Sequence, residues 1–183
     1  ILLAVKGEGE TILHGAAREP EVGELCRFLR SAGARIRGEG TDCIVIEGKQ
    51  ELHDTEFTVM PDRIVAGTYM LLLAATGGSI RLWEVPVEQL TSLWPVLGAM
   101  GVDVRTEGDR VSLARQSRKP CCLTVETAPY PGFPTDLQSP LLAALAGLPG
   151  ESRITERVFE ARFKIVEELR KMGADITLHG ETA

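Results

Sequence analysis

The chain has 183 residues, of which 44% are apolar and 25% charged, and its formal net charge is −6. This length fits one average domain or two small ones, with the composition of a soluble globular protein. An acidic chain argues against nucleic acid as the main partner, because that interface usually needs a basic face. It leaves open a small anionic ligand, which needs only a local cluster of positive groups. The longest apolar run, residues 69–75, is far too short to span a bilayer.

The chain begins at Ile1, without methionine, and residues 1–5 resemble the last turns of a helix. It ends just after a strand-like run at residues 173–177. Both ends look cut, so we expect a fragment of a longer protein or an excised segment.

Three similar stretches follow one another, each with a strand, a helix ending at a glycine, and one or two further strands. The predicted helices are residues 20–32, 87–100 and 160–172, and the glycines are Gly33, Gly101 and Gly173. The predicted strands are residues 11–15, 33–37, 43–47, 79–83, 101–105, 110–114, 152–156 and 173–177. Glycine supplies the left-handed conformation that closes a helix, so we expect all three helices to end alike.

Another helix precedes each stretch, at residues 1–5, 62–76 and 136–148, and short strands lead in at residues 56–60 and 123–126. The repeated unit is therefore β-α-β-α-β-β. Such alternation predicts an α/β or α+β fold built in layers.

Apolar side chains recur along one face of two predicted helices, so each should pack that face on a sheet. They are Val22, Leu25, Leu29 and Ala32 in the first repeat, and Phe163, Val166, Leu169 and Met172 in the third. Residues 71–75 are apolar on nearly every side and are predicted to be buried in a helix bundle. Pro95 lies inside the predicted helix 87–100, where a proline costs about 3 kcal/mol, so we expect a kink or break near Trp94.

The four cysteines include no C-x-x-C pair and the three histidines are scattered, so we expect neither a zinc site nor another metal. The cysteines are Cys26, Cys43, Cys121 and Cys122. The adjacent pair should point to opposite faces, which favours reduced thiols in a cytoplasm. No cationic and apolar signal peptide opens the chain.

Residues 127–138 read Thr-Ala-Pro-Tyr-Pro-Gly-Phe-Pro-Thr-Asp-Leu-Gln. Because proline fixes φ and removes a donor, residues 129–134 are predicted to form a rigid, extended loop. Pro134 suits the first turn of a helix, and Asp136 would lie there, where the helix dipole stabilises a carboxylate. From residue chemistry alone, an ordinary helix-start acid is the simpler explanation for Asp136.

This loop closely resembles the one that carries the substrate aspartate in the UDP-N-acetylglucosamine enolpyruvyl transferases. Two further stretches agree with that family in order and approximate spacing: residues 16–21 with 40–42, and residues 154–163 with 172–174. The resemblance covers nearly the whole chain.

The resemblance implies an inside-out α/β barrel built of repeated βαβαββ units, with helices buried, sheets outside, and an active-site cleft between two domains. Residues 1–60 would be the last repeat unit of the first domain, and residues 61–183 the first two units of the second. Asp62 and Arg63 would lie at the crossover between the domains. Alternatively, the three units close into one pseudo-threefold domain.

The resemblance also implies transfer of the enolpyruvyl group of phosphoenolpyruvate to the 3-hydroxyl of UDP-N-acetylglucosamine, the first committed step of peptidoglycan synthesis, without a cofactor. Asp136 would hold and deprotonate that hydroxyl. Aspartate, with a pKa of about 3.9, is a poor base for an alcohol, so it needs careful positioning. Thr135 would also bind substrate, Val158 through its backbone and Phe159 as an apolar wall. Arg162 would also bind substrate, and it would pair with Asp136 or Glu160.

The chain departs from the family pattern in several places. Ala161 stands where the family usually has asparagine. The family's Lys-Asn pair, the loop with the cysteine acid and the late phosphoenolpyruvate-binding arginine are not found, so we expect these 183 residues to be inactive alone. A shikimate-pathway enolpyruvyl transferase and a non-catalytic binding homologue stay open as alternatives, and so does the oligomeric state.

Overall fold

The computed structural model describes residues 1–116 and 120–183. The chain divides into two compact units, residues 1–60 and 61–183, each with its own apolar core. Both units mix helices with strands, as the sequence predicts. Among the described residues, no helix is both long enough and apolar enough to cross a lipid bilayer.

The first unit packs two helices on a three-stranded antiparallel sheet with the order β1-β3-β2. Along β3, Ile44 and Ile46 are buried, and they share a core with Cys26 and Leu29 of α2. This alternation is the two-residue period of a half-buried strand. The elements are α1 (Leu2–Lys6), β1 (Glu10–His14), α2 (Pro20–Ser31), β2 (Arg35–Arg37) and β3 (Cys43–Glu47).

The predicted strand at residues 56–60 is wrong, because this segment is neither helix nor strand. Phe57 packs edge-on against Phe28 of α2, with ring centroids 5.4 Å apart. The Met60 backbone N–H donates to the Glu24 carboxylate at 2.7 Å. The segment therefore lies along α2, where the Met60 N–H finds its acceptor, rather than in a sheet.

The second unit contains an antiparallel sheet with the order β4-β6-β5 and a separate parallel pair, β7-β8. Its helices are α3 (Arg63–Thr76), α4 (Leu93–Ala99), α5 (Gln138–Ala146) and α6 (Ile165–Lys171), with 3-10 turns at Val87–Leu90 and Thr135–Leu137. Its strands are β4 (Gly78–Leu82), β5 (Asp103–Glu107), β6 (Arg110–Arg115), β7 (Thr124–Glu126) and β8 (Arg153–Thr155).

The break predicted near Trp94 is present, slightly upstream. The 3-10 turn ends at Leu90, and α4 begins at Leu93. Pro95 is then the third residue of α4, where a missing N–H costs no intrahelical hydrogen bond.

All three predicted helix ends are confirmed. Gly33, Gly101 and Gly173 have φ values of +101°, +78° and +95°. After each glycine, the next N–H donates to a carbonyl five residues back, in the pairs Ala34–Leu29, Val102–Leu97 and Ala174–Leu169, at 2.9, 3.0 and 3.0 Å. This is the Schellman arrangement, and it occurs at the same point of each of the three repeats.

The third repeat departs most from the prediction. Its helix begins at Ile165 rather than residue 160, since Ala161 has φ +53° and cannot be helical. Residues 173–177 form no strand. The Arg170 guanidinium donates to the Ile176 carbonyl at 2.5 and 2.8 Å, and none of the described strands pairs with this segment. Met172, predicted to be buried, is 83% exposed.

Helix α3 lies between α4 and α5, and Asp62 caps it by accepting hydrogen bonds from the Ile64 and Val65 N–H groups at 2.7 and 3.1 Å. Met70, Leu71, Leu73 and Ala74 are buried, but Leu72 is 54% exposed. The predicted complete burial of residues 71–75 is therefore wrong on one face.

The prediction for the adjacent cysteines is confirmed in outcome, since Cys121 is buried and Cys122 exposed, although neither lies in a strand.

Gly67 in the middle of α3 allows the 3-10 turn at Thr135–Leu137 to pack closely. A Cβ at this position would lie 2.7 Å from Leu137 Cδ1 and 3.3 Å from Leu93 Cδ2. Leu137 is completely buried, so it has little room to move. The close approach at Gly67 therefore helps to position the turn that contains Asp136.

We expect Gly67→Ala to destabilise the chain relative to Gly98→Ala by about 1–3 kcal/mol, the usual cost of overpacking a core. Both substitutions gain the same helix propensity, but a Cβ at Gly98 of α4 meets nothing within 4 Å. Urea unfolding of the two variants measures the difference. Equal unfolding free energies would contradict the close packing at Gly67.

Candidate functional site

The parallel pair β7-β8 brings two of the sequence motifs together. Thr124, Val125 and Glu126 pair with Arg153, Ile154 and Thr155 in register. Because parallel strands end at the same edge, residues 127–137 and 156–163 both leave the sheet there. In α/β proteins, ligands usually bind at this carboxyl edge.

The first segment contains a tight turn, so the prediction of an extended loop at residues 129–134 is wrong. The Gly132 N–H donates to the Pro129 carbonyl at 2.9 Å, and the Ala128 N–H to the Phe133 carbonyl at 3.0 Å. The Tyr130–Pro131 peptide is cis, as in turns with proline at the third position. Phe133 is buried and anchors the turn on the core.

Asp136 and Arg162 form an ion pair, with Nη2 2.6 Å from Oδ1. The other terminal nitrogen of Arg162, Nη1, donates to the Thr135 hydroxyl at 3.0 Å. The guanidinium lies over the Phe159 ring, 5.2 Å from its centroid. Of the two partners predicted for Arg162, the structure selects Asp136 over Glu160.

The Asp136 carboxylate remains open on its solvent side, since its side chain is 56% exposed. It lies in the 3-10 turn before α5 and bonds to Arg162 rather than to the first N–H groups of that helix. A simple helix cap therefore explains it poorly.

Glu156, directly after β8, is only 2% exposed. Its Oε1 accepts from the Thr127 hydroxyl at 2.7 Å and from the Val158 and Phe159 N–H groups at 2.8 and 3.1 Å. Its Oε2 accepts from the Thr135 hydroxyl at 2.8 Å. The sequence analysis missed this residue. A glutamate at the end of a predicted strand is the only signal, and its distant threonine partners are not visible in the sequence.

Burial alone raises the pKa of Glu156, but hydrogen bonds from the Thr127 hydroxyl, the Val158 N–H, the Thr135 hydroxyl and the Phe159 N–H lower it, and the net shift is downward. The folded chain therefore favours the ionised carboxylate and binds a proton less tightly than the unfolded chain.

We expect the ionised Glu156 carboxylate to stabilise the second unit at pH values above the ordinary glutamate pKa of about 4.3. This contribution is lost as the pH falls from there through the lowered pKa. Thermal midpoints of wild type and Glu156→Gln between pH 7 and pH 3 test this, and the gap between them should narrow on acidification. A constant gap would contradict the assigned direction.

The remaining predicted residues either lie beside Arg162 or pack within the second unit. Phe159 is 57% exposed beside Arg162, whereas Phe163 is buried in the core as expected. The Val158 N–H is occupied by Glu156. Arg63 is buried with its guanidinium over the Tyr130 ring, 5.6 Å from the centroid. Together with the Asp62 cap, this contact gives both crossover residues a structural role within the second unit.

Ala161 adopts a left-handed conformation, with φ +53°. This conformation costs an ordinary L-residue about 1–2 kcal/mol, but asparagine and glycine tolerate it. The backbone thus accounts for an asparagine at this position in the resembled family.

We expect Ala161→Asn and Ala161→Gly to raise the free energy of unfolding by up to about 1 kcal/mol. The control is Ala99→Gly, at a helical position, which should lower it by about 0.5–1 kcal/mol. Chemical denaturation measures all three. Destabilisation by both substitutions at residue 161 would contradict the left-handed assignment.

A shallow depression of about 360 Å³ adjoins the Asp136–Arg162 pair and is lined by Phe159, Glu160, Ala161, Arg162 and Lys164. A larger concavity of about 920 Å³ lies against the β4-β6-β5 sheet, but no motif residue lines it, so we place the candidate site at the smaller one. Within residues 1–116 and 120–183, no group of three or more His, Cys, Asp or Glu side chains is placed to hold a metal ion.

In the first unit, the two halves of its motif also meet, because the Ala16 N–H donates to the Asp42 carbonyl at 2.9 Å. This contact supports the loop that begins at Gly15 and leads into α2. The structure therefore gives residues 16–21 and 40–42 a shared local geometry.

Comparison with known proteins agrees with these motifs. The chain is 44% identical, over all 183 residues, to UDP-N-acetylglucosamine 1-carboxyvinyltransferase 2 of Caldanaerobacter subterraneus subsp. tengcongensis, covering 44% of that protein. It is 45% identical to UDP-N-acetylglucosamine 1-carboxyvinyltransferase of Sorangium cellulosum, again over the whole chain and 43% of the relative. The chain thus spans less than half the length of these curated relatives.

The fold matches the crystal structure of the enolpyruvyl transferase NikO from Streptomyces tendae with a TM-score of 0.83 and 27% identity, over 99% of this chain and 43% of that one. The family model for EPSP synthase (3-phosphoshikimate 1-carboxyvinyltransferase) matches residues 1–183. The chain therefore belongs to the EPSP synthase family of enolpyruvyl transferases.

Proposed function

We propose that the natural full-length protein containing this sequence transfers the enolpyruvyl group of phosphoenolpyruvate to the 3-hydroxyl of UDP-N-acetylglucosamine. The observation that carries the proposal is the solvent-facing Asp136 carboxylate, held by Arg162 at the carboxyl edge of β7-β8. The names of the similar relatives supply the substrate class. The protein would act in the cytoplasm, in the first committed step of peptidoglycan synthesis.

Asp136 would orient the sugar hydroxyl and receive its proton as the oxygen bonds to the enol ether carbon. An aspartate carboxylate is a weak base for a free alcohol. Its contribution is therefore correct placement of the hydroxyl, with proton transfer during C–O bond formation rather than before it. The methylene carbon gains a proton and becomes a methyl group, which leaves a tetrahedral carbon bearing both oxygens. Phosphate then leaves this carbon as the methyl group loses a proton, and the C=C bond of the enol ether is restored.

Phe159 and the backbone around Val158 would form the wall against which the nucleotide sugar lies. Phe159 is 57% exposed, and the neighbouring depression is lined by the cations Arg162 and Lys164. An apolar face next to positive charge suits a ring system that carries a diphosphate.

For the architecture we propose that residues 1–60 complete one domain as its last repeat unit. Residues 61–183 would supply the first two units of a second domain in an inside-out α/β barrel. The repeated Schellman ends support a common unit. Asp62 and Arg63 would then mark the crossover between domains.

One observation favours a second acceptor, because the matching family model bears the name of 3-phosphoshikimate 1-carboxyvinyltransferase. The relatives at 44% and 45% identity bear the name of the UDP-N-acetylglucosamine enzyme, so we keep that acceptor as the proposal. The two acceptors differ enough in size and charge for a direct assay to separate them.

The test supplies phosphoenolpyruvate to the natural full-length protein with either UDP-N-acetylglucosamine or 3-phosphoshikimate. We expect phosphate release and a product heavier by one enolpyruvyl group only with the nucleotide sugar. Release with 3-phosphoshikimate alone would establish the second acceptor. Tight binding of UDP-N-acetylglucosamine without turnover would indicate a non-catalytic homologue.

A further inference from the structure

Glu156 is the one carboxylate buried below a tenth of its surface in the part of the chain that the structure describes. Burying an ionised carboxylate is costly unless its lone pairs are filled. A carboxylate has about four lone-pair sites, and Glu156 accepts four hydrogen bonds. Three of these bonds reach Oε1 and one reaches Oε2, and the 2% exposure of the residue keeps the group away from a substrate.

The four donors come from two different segments. Thr127 and Thr135 lie at the two ends of the segment that precedes α5, whereas the Val158 and Phe159 N–H groups belong to the turn after β8. The Arg157 N–H also donates to the Thr127 hydroxyl, at 2.8 Å. One buried side chain thus fixes the position of one segment relative to the other.

The Thr135 hydroxyl connects this buried group to the exposed pair. A hydroxyl has one hydrogen to donate, and at Thr135 it goes to Glu156 Oε2 at 2.8 Å. The oxygen then turns its lone pairs toward Arg162 Nη1 at 3.0 Å. The same guanidinium holds Asp136 at 2.6 Å.

We propose that Glu156 is a positioning residue: its carboxylate sets the Thr135 hydroxyl and the turn at residues 157–159, and through them the Arg162–Asp136 pair. Productive geometry tolerates little displacement, since misplacing a reacting group by about 1 Å costs on the order of a hundred-fold in rate. The inference rests on the proposed function only for its kinetic readout.

Two buried positions give the test. Glu156→Gln keeps an oxygen for the three donors at Oε1. In place of Oε2 it presents amide N–H groups to the Thr135 hydroxyl, so this hydroxyl becomes the acceptor in the hydrogen bond that links residue 156 to Arg162. Thr127→Val removes the hydroxyl that joins Glu156 to the Arg157 N–H while keeping the shape of the side chain. Thr127→Ser retains that hydroxyl and is the matched control. Thr127 is completely buried, so none of these changes removes a substrate contact.

The measurements are amide hydrogen exchange and kcat/KM on the natural full-length protein. We expect exchange in residues 127–137 and 157–163 to quicken about ten-fold or more in Glu156→Gln and Thr127→Val, with β5 and β6 unchanged. The kcat/KM value should fall about ten- to a hundred-fold in both. Thr127→Ser should match wild type in both measurements.

Unchanged exchange in either segment would overturn the proposal. So would faster exchange with wild-type kcat/KM, or uniform acceleration throughout the second unit, which a merely structural role predicts. If the wild type shows no turnover, the proposed function fails while exchange still decides this inference. If Glu156→Gln does not fold, the Thr127 pair decides it.

Discussion

Asp136→Asn is expected to slow enolpyruvyl transfer by the natural full-length protein by about a hundred-fold or more, the range for loss of a positioned general base. Asparagine keeps the shape of the side chain but cannot receive the hydroxyl proton. Its effect on folding should stay under about 1 kcal/mol, because the ion pair with Arg162 is partly exposed. The measurement is kcat and thermal midpoint on the same preparation.

Asp175→Asn is the matched control for this experiment. It removes an exposed carboxylate on a segment that bears none of the candidate site residues, and it should leave kcat unchanged. A folded Asp136→Asn protein with wild-type kcat would reduce Asp136 to a helix-start residue.

Arg162→Lys is expected to lower kcat/KM by about ten- to a hundred-fold although the charge is kept. Arginine binds Asp136 and Thr135 with two different nitrogens and stacks on Phe159. Lysine has a single nitrogen on a flexible stem, so it cannot hold both partners in one plane. Hydrogen bonds to charged groups contribute about 1.5–3 kcal/mol each, and loss of one corresponds to this range.

Arg170→Lys provides the comparison for that substitution. The Arg170 guanidinium also bonds to the protein, at the Ile176 carbonyl, but it contacts none of the candidate site residues. Its kcat/KM should stay within two-fold of wild type. Equal losses at both positions would show that the effect is a general cost of removing arginine.

Much of the fold could be predicted from local patterns. Glycines after amphipathic runs located three helix ends, and Asp62 before an apolar run located the start of α3. Such features depend on neighbours within a few residues, so they are visible in the sequence. The strands predicted at residues 56–60 and 173–177 are absent because a strand also needs a hydrogen-bonding neighbour, and none of the described strands pairs with either segment.

The candidate site could be predicted only in part. The proline run identified Asp136, and its resemblance to a known family suggested Arg162 and Phe159. Glu156 was missed because its importance comes from burial and from Thr127 and Thr135, which lie 29 and 21 residues away along the chain. Nothing in a local pattern distinguishes a buried glutamate that accepts hydrogen bonds from the protein from one that is solvated.

The hydrogen bond between Thr127 and Glu156 also bears on the order of folding. It joins two residues that lie 29 positions apart along the chain. Closing this loop costs chain entropy before contacts between its two ends can stabilise the fold. Helix α5 forms from neighbouring residues, whereas the arrangement around Asp136 requires both strands of β7-β8 to have met. We therefore expect the site to form late in folding, through non-local pairing, and a peptide carrying either motif alone should contain its residues without its geometry.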